Sequence, residues 1–191
     1  EERPGFTMKI QVIDSQNYSM PYGWYFCECA RKVRNGGELA ACVGELKQKL
    51  DCVEICLAAY SLKQMKKSGR ISAAAAVVGD LLGIRPIISL NAGVSKVEAK
   101  VRGDAAVPAA MLKWVESRVD SMRDTPYMVA YTSSTAKRDE LAKLCRKAFG
   151  HPPLIVFQLG GVVSANTGPD AIAIVYEGHP RNLEAYAPQL P

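Results

Sequence analysis

The stretch LKQMKKSGRISAAAAVVGDLLGIRPIISL, residues 62–90, carries the strongest fold signal in the sequence. It begins as a basic helix that ends at Ser68-Gly69, and a helix of small apolar residues follows from Ala73 to Leu82. After Gly83, the apolar run from Arg85 to Leu90 predicts a strand. This close succession of helix and strand indicates an α/β fold.

Composition limits the class of protein. The 191 residues, 48% hydrophobic and 23% charged, suit one large globular domain or two small lobes. A net charge of +5 is too small to indicate a nucleic-acid-binding protein. The sequence shows neither a signal peptide nor an apolar run of membrane-spanning length, so we expect a cytoplasmic protein.

The cysteines and histidines do not indicate a metal centre. The six cysteines include no Cys-x-x-Cys pair, and each of the two histidines, His151 and His179, precedes a proline. A structural zinc site needs four convergent ligands, usually in paired spacing. We therefore expect reduced thiols that pack as small hydrophobic groups, and no metal or cofactor.

The first part of the chain predicts the remainder of a doubly wound lobe. Met8–Ile13 alternates like a strand, and Val53–Ala58 is a second apolar strand. Helical patterns over Ser19–Val33 and Glu38–Leu50 lie between them. Two strands joined through helices predict a parallel crossover, so residues 1–60 are interpreted as a partial parallel-sheet lobe.

Residues 61–191 predict a second lobe with a mixed sheet packed against helices. Val94–Val101 is expected to pair antiparallel with the strand before it, across a glycine turn. The remaining predicted elements are a helix over Asp104–Val119, a strand over Tyr127–Thr132, a helix from Ser133–Thr135 to Phe149, a strand over Leu154–Leu159, a polar turn over residues 160–169 and a strand over Ala171–Tyr176.

Two positions have both a binding and a purely structural interpretation. Gly69-Arg70 precedes a helix start, where free N–H groups and a guanidinium would hold a carboxylate or phosphate, although such turns are often only helix breaks. Ser15 follows a predicted strand, where it would either face a ligand crevice or cap the next helix.

Three motifs, in order along the chain, resemble the DegV family of fatty-acid-binding proteins. They are VIDSQNYSMPYG at residues 12–23, LKQMKKSGRIS at residues 62–72, continued by LLGIRPIIS and by Arg102 in KVRG, and SANTGPDAIAIVY at residues 164–176. The resemblance implies a long-chain fatty acid of about fourteen to eighteen carbons held between two lobes, where the apolar contacts set affinity.

The resemblance also implies positions for the binding residues. The family's two cleft arginines match Arg70 and Arg102, its turn hydroxyl matches Thr167 beside Gly168, and Ser15 lies near the cleft. Ile71 and the small residues after it are the expected tunnel lining, although tight helix–sheet packing also explains them. The protein itself would be a carrier without catalytic residues, and its implied partner is a fatty-acid kinase subunit that makes acyl phosphate.

The sequence departs from the family pattern in two ways. Asn166 stands at the family's histidine position, and an amide donates a hydrogen bond but carries no charge near neutral pH. By the resemblance, we expect the chain to correspond to the C-terminal two-thirds or so of such a protein, without the N-terminal segment whose loops hold the carboxylate. Two alternatives therefore stay open: a phosphate-ester-binding protein or enzyme that uses the Gly-Arg helix start and the NTGPD turn, and a lipid-binding fragment with an incomplete site.

Overall fold

The computed structural model describes residues 10–69, 83–91 and 93–181. The helices in these ranges are α1 Met20–Arg34, α2 Leu39–Cys52, α3 Lys63–Lys67, α4 Val107–Glu116, α5 Thr135–Phe149 and α6 Gly161–Thr167. The strands are β1 Val53–Ala59, β2 Ile84–Asn91, β3 Val94–Arg102, β4 Tyr127–Tyr131, β5 Val156–Gln158 and β6 Ala171–Glu177. A short 3₁₀ turn, Asp104–Ala106, leads into α4.

These strands form one mixed sheet in the order β3-β2-β1-β6-β4-β5. Strands β4 and β5 are parallel, and every other neighbouring pair is antiparallel. The predicted α/β fold with a mixed sheet packed against helices is confirmed, as is the β2–β3 hairpin. Its turn contains Gly93 with φ +82°, a conformation that costs glycine little.

Side chains alternate along the strands and build two apolar layers. On one face, Ile55 and Leu57 of β1 pack with Val175 of β6 beneath α1, α2 and α3. On the other face, Cys56 of β1 and Ile174 of β6 pack against α4 and α5. The sheet therefore lies between two helical layers, and β1 and β6 are its buried centre.

Polar side chains fix where two helices begin. The Glu38 carboxylate accepts hydrogen bonds from the N–H groups of Ala40 and Ala41 at 2.8 and 2.7 Å, and these bonds lower its pKa. At α5, the Ser134 hydroxyl accepts a hydrogen bond from the Lys137 N–H at 3.3 Å. Of the three caps that the sequence offers at this helix, Ser134 is the one used.

The predicted parallel crossover in the first part of the chain is wrong. Strand β1 pairs antiparallel on both sides, with β2 and with β6, both of which follow it in sequence. Residues 10–13 of the expected first strand are not in a strand, and the Val12 side chain is 91% exposed. An alternating segment forms a strand only beside a partner that takes up its backbone hydrogen bonds. The division of the chain near residue 60 stays a prediction.

The predicted polar turn over residues 160–169 is also wrong in part. Residues Gly161–Thr167 form helix α6, which begins after Gly160 and ends at Gly168 with φ +90°. Glycine and polar residues favoured a turn in the sequence. The helix forms despite that preference: Val163 is partly buried at an apolar groove on the sheet, and the Ser164 hydroxyl donates to the Leu159 carbonyl at 3.1 Å.

The second residue of β1, Glu54, carries a buried carboxylate. Glu54 is 1% exposed, and its carboxylate accepts hydrogen bonds from the Arg118 Nε at 3.1 Å and from the Tyr176 hydroxyl at 2.7 Å. A second Arg118 nitrogen completes the ion pair. Burial and the adjacent Glu54 carboxylate raise the Tyr176 pKa, so the phenol stays protonated and donates. This cluster joins β1, β6 and the segment after α4.

A second buried hydrogen-bond cluster anchors the turn between α6 and β6. The Thr132 hydroxyl donates to the Pro169 carbonyl at 2.5 Å and accepts from the Ala171 N–H at 2.9 Å. The Thr132 N–H donates to the Ala171 carbonyl at 2.9 Å, and the Ser133 hydroxyl also donates to Pro169. The turn that follows α6 is therefore fixed to the end of β4.

The substitution Arg118→Met should lower the free energy of unfolding by roughly 2–4 kcal/mol, because it leaves the Glu54 carboxylate buried without its cation. Urea unfolding measures the loss. Lys143→Met, at an exposed position on α5, is the control and should change stability little. The double substitution Glu54→Gln with Arg118→Met should recover part of the loss; equal stability of Arg118→Met and the control would contradict the assignment.

The substitution Thr132→Val should release the turn after α6 at a cost of about 1–3 kcal/mol, because buried polar groups lose their partner. Amide hydrogen exchange should show faster exchange at Ala171. Thr125→Val is a matched control, since the Thr125 hydroxyl is also buried and donates to the Ser121 carbonyl at 2.7 Å, away from the turn. Unchanged protection of Ala171 in Thr132→Val would refute the anchoring role.

Candidate functional site

An apolar groove lies on the face of the sheet that α1, α2 and α3 cover. Its floor is made by residues from β1, β6, β4 and β5: Ile55, Leu57, Ala173, Val175, Ala130 and Phe157. The enclosed part has a volume of about 170 Å³. A cavity of roughly 150 Å³ lined by apolar side chains holds a benzene-sized group, so this groove has room for hydrocarbon.

Strand register shows that the groove crosses the strands. Leu57 pairs with Ala173, Ala173 with Ala130, and Ala130 with Phe157, so these four side chains form one row across β1, β6, β4 and β5. In the adjoining row, Val175 pairs with Ile55, Ile55 with Leu90, and Leu90 with Ser95. Every strand of the sheet contributes to the groove, whose width of five strand spacings is about 24 Å.

Helix α6 forms one rim, where the predicted site residues Asn166 and Thr167 line the groove. The Asn166 side-chain amide donates to the Val162 carbonyl at 2.8 Å, and the Thr167 hydroxyl donates to the Val163 carbonyl at 3.1 Å. The hydroxyl proton of Thr167 is therefore used within the helix, whereas the Asn166 amide has a second proton to donate.

Gly168 lies at the same rim, and its backbone conformation favours glycine. Its φ is +90°, and a Cβ there would lie 3.6 Å from the Ser61 carbonyl oxygen and 3.6 Å from Gln64 Cγ. The chain after α6 therefore lies directly against the segment between β1 and α3. Asn166, Thr167 and Gly168 lie at this rim as the end of a helix, in place of the open turn that the sequence indicated; their role in binding stays a prediction.

Arg102 lies at the last position of β3 and is exposed. It pairs with Ile84, and the Gly103 N–H donates to the Gly83 carbonyl at 2.9 Å. This is the end of the sheet where β1 ends, so Arg102, on edge strand β3, lies at the same end as Gly168, which follows α6 near β6. Arg102 is not among the described residues that line the groove. The predicted residues Arg70 and Ile71 lie outside the described residues.

Ser15 is not brought to this rim. Its carbonyl accepts hydrogen bonds from Arg181 at 3.4 Å and from the Asn17 side chain at 2.9 Å. Arg181 also donates to the Leu50 carbonyl at 2.7 Å, just before β1 begins. Since β1 spans seven residues, Ser15 and Thr167 lie at opposite ends of that strand, about 20 Å apart along it. Ser15 belongs to the turn before α1.

The second rim is the segment before α1, and sequence reasoning missed it. Tyr18, Ser19 and Pro21 line the groove there. Ser19 has φ +54° and ψ −137°, a backbone conformation that costs a non-glycine residue about 1–3 kcal/mol. Such a residue persists only where its surroundings hold it, which indicates that the packing of this segment is specific.

Sequence reasoning also missed the floor of the groove. Ala130 and Ala173 are small residues with large residues on both sides, in MVAY and IAIVY. They pair directly across β4 and β6, which leaves a low point in the floor between Leu57 and Phe157. Small residues in both strands were the available signal, but their pairing depends on long-range register.

The groove carries no charge of its own along its described lining, which contains no Asp, Glu, Lys or Arg. Over residues 10–69, 83–91 and 93–181, no group of His, Cys, Asp and Glu side chains is arranged to hold a metal ion. The described helices include none long and apolar enough to cross a membrane. Apolar contact is therefore what the groove offers a ligand, with polar groups at its rims.

A second cavity, between α1 and α2, has a different chemistry. Its volume is about 350 Å³, and Cys29, Cys42 and Cys52 line it together with paired charges, among them Lys49 and Glu177 at 2.5 Å. Burial is the main cause that raises the pKa of the Cys29 and Cys52 thiols. These thiols stay protonated at neutral pH and are poor nucleophiles. We interpret this cavity as a polar seam between two helices.

Comparison with known proteins shows which family the chain resembles. The model of the DegV family, described as uncharacterised proteins, matches residues 3–179. A DegV domain-containing protein of Clostridium acetobutylicum is 27% identical over 168 residues, which cover 88% of this chain and 59% of that protein. One from Deinococcus radiodurans is 26% identical over 175 residues, covering 89% of this chain and 60% of the relative. The chain thus spans about three fifths of these relatives.

Solved structures share the fold. A DegV family protein from Eubacterium eligens, loaded with heptadecanoic acid, superimposes with a TM-score of 0.78 at 19% identity and covers 90% of this chain and 62% of its own. The Streptococcus pneumoniae fatty acid kinase B3 protein, loaded with linoleic acid, gives 0.77 at 18% identity, covering 90% and 60%. The family match spans nearly the whole sequence and the structures confirm the fold: this chain belongs to the DegV family.

Proposed function

We propose that this protein binds a long-chain fatty acid in the groove, with the acyl chain across the strands and the carboxylate at the α6 rim. The observation that carries the proposal is an uncharged apolar groove with polar groups at its rims. An enclosed volume of about 170 Å³, spread across every strand of the sheet, suits a thin chain better than a bulky ring system. The heptadecanoic acid bound to the DegV family protein from Eubacterium eligens supports it.

The groove supplies most of the affinity in this proposal. Burial contributes roughly 0.8 kcal/mol for each methylene, so about fifteen fully buried methylenes would give on the order of 12 kcal/mol before ordering costs. The part of the groove with a volume of about 170 Å³ holds about six of these carbons, and the rest of the chain would lie along the open floor. A charge-assisted contact to the carboxylate adds about 1.5–3 kcal/mol. The floor therefore sets how tightly a ligand binds, and the α6 rim selects an acid over an alkane.

The second proton of the Asn166 amide is the donor that the structure offers the carboxylate at the groove itself. Arg102, exposed at the same end of the sheet, supplies a positive charge nearby. Arg70 remains a proposed contact from the sequence. Since Asn166 holds no charge, the rim would orient the carboxylate without protonating it.

In this proposal the protein is a carrier and not an enzyme, and it presents the bound acid to a kinase subunit. The described groove lining contains no Cys, His, Asp, Glu or Lys, so its Ser19, Ser95 and Thr167 hydroxyls have no general base beside them in that lining to activate them as nucleophiles. The fold shared with a fatty acid kinase B3 protein supports a kinase partner. Because the chain spans about three fifths of its relatives, the partner and the complete ligand cleft both belong to the proposal.

The phosphate-ester alternative loses support at the NTGPD turn. A phosphate cradle needs unpaired backbone N–H groups. The Gly168 N–H donates to the Ser164 carbonyl at 2.8 Å, and the Ala171 N–H donates to Thr132. These two N–H groups are therefore already bonded within the protein. The phosphate site of that alternative would have to lie at the Gly-Arg helix start, which is outside the described residues.

Organic extraction of the purified protein, followed by mass spectrometry, tests the proposal. We expect about one fatty acid of fourteen to eighteen carbons per chain, and native mass spectrometry should show the same adduct on the intact protein. If the protein is empty and takes up neither palmitic acid nor oleic acid, the carrier function is wrong. Uptake of glycerol phosphate without lipid would favour the alternative.

The substitution Val162→Asp should weaken palmitic acid binding about tenfold, because it places a carboxylate beside the ligand carboxylate at the α6 rim. Val162 is 82% exposed, so the fold should tolerate the change. Fluorescence displacement measures both affinities, and Val162→Thr is the uncharged control.

Hexadecanol separates charge from packing in this experiment. Its affinity should fall far less than that of palmitic acid in Val162→Asp, since the alcohol carries no charge. Equal losses for acid and alcohol would show that the carboxylate does not lie at the α6 rim.

A further inference from the structure

We infer that Tyr18 is the residue that limits acyl-chain length, because it closes the groove at the β2–β3 hairpin. The inference rests on the proposed function and adds a specificity-determining residue to it. Tyr18 and Ser95 both line the groove, and Ser95 pairs with Leu90 beside the hairpin turn. This end is opposite the α6 rim, so the methyl end of a fatty acid would meet it.

The Tyr18 side chain reaches over the hairpin turn. A Cβ built on Gly93, at the turn, would lie 3.9 Å from the Tyr18 hydroxyl oxygen. The phenol therefore lies beside the last residues of β2 and the first of β3. A chain that runs along the floor past Leu90 meets this side chain before it can leave the sheet.

Contacts on both sides hold the Tyr18 backbone in place. Before it, the Gln16 carbonyl accepts from Arg181 at 3.3 Å, and the Asn17 side chain donates to the Leu50 carbonyl at 3.3 Å. After it, Ser19 takes its positive φ, and Pro21 is buried in the first turn of α1. The backbone at Tyr18 is therefore fixed, and the phenol can leave the hairpin end only by changing its side-chain rotamer.

The distance between neighbouring strands gives the number of carbons at which an acyl chain reaches Tyr18. The Asn166 end of α6 lies beside β6 and the end of β1, since Gly168 packs on the segment that follows β1. From there to Ser95 on β3 there are three strand spacings across the sheet, about 14 Å, and four residues along β6, from Ala171 to Val175, about 13 Å, which combine to about 19 Å. An extended backbone advances about 3.3–3.6 Å for three bonds, so about 1.2 Å a bond, and an extended acyl chain is similar. About 16 carbons therefore reach from the α6 rim to Tyr18, and longer chains would meet the phenol.

Binding of saturated acids from 10 to 24 carbons to the wild type and to the Tyr18→Ala variant tests the inference. Wild-type affinity should rise with chain length, as each methylene adds contact, and then fall beyond about 16 carbons. Tyr18→Ala should bind the 22-carbon acid at least fivefold more tightly, relative to the 16-carbon acid, than the wild type does. Isothermal titration in detergent-free buffer measures the ratio.

Tyr22→Ala is the matched control. Tyr22 lies one turn further along α1 with nearly the same exposure, 42% against 39% for Tyr18, and it is not among the described residues that line the groove. Its length profile should match the wild type. A profile that shifts equally in both variants would show a general loosening of α1 and would overturn the role of Tyr18.

Ser95→Leu gives an independent test in the opposite direction. Ser95 lies on edge strand β3, where a larger apolar side chain is tolerated, and leucine there should fill the hairpin end. The preferred length should then fall by two or more carbons. Normal binding with unchanged profiles in Tyr18→Ala and Ser95→Leu refutes the inference alone, whereas a protein that binds no acid of any length refutes the proposed function.

Discussion

Seven consecutive antiparallel pairs join β1 to β6, from Val53 with Glu177 to Ala59 with Ala171, and the rest of the structure depends on that register. It places Ile55 and Leu57 in the groove floor and turns Glu54 to the opposite face, beside Tyr176. A slip by one residue would exchange the two faces. The floor would then carry a carboxylate, and the α4–α5 layer would lose its anchoring charge.

The buried Glu54 cluster penalises such a slip. A carboxylate that is 1% exposed is stable only with its partners, and those partners, Arg118 and Tyr176, lie on one face. Apolar alternation alone distinguishes the faces weakly, since both are lined by aliphatic residues. The Glu54 cluster on one face of β1 therefore helps to fix the register that keeps the groove on the other face free of charge.

Local patterns in the sequence predicted most helices, the strands from β1 onward and the β2–β3 hairpin, because these depend on nearby residues. The parallel crossover failed because strand pairing is a choice between distant partners, and β1 found both of its neighbours later in the chain. At the site, family motifs located Asn166–Gly168. The pairing of Ala130 with Ala173 and the wall at Tyr18 arise from tertiary register, which no local pattern encodes.

Diffraction from crystals grown with a fatty acid that carries bromine at its methyl end tests the central claim, that an acyl chain lies across the strands with its carboxylate at α6. The account predicts one anomalous peak beside Tyr18, Leu90 and Ser95, with the carboxylate density next to Asn166. A bromine peak beside Asn166 and Thr167 would show that the fatty acid binds in the opposite direction. A peak away from this face of the sheet would contradict the claim that the acyl chain lies in the groove.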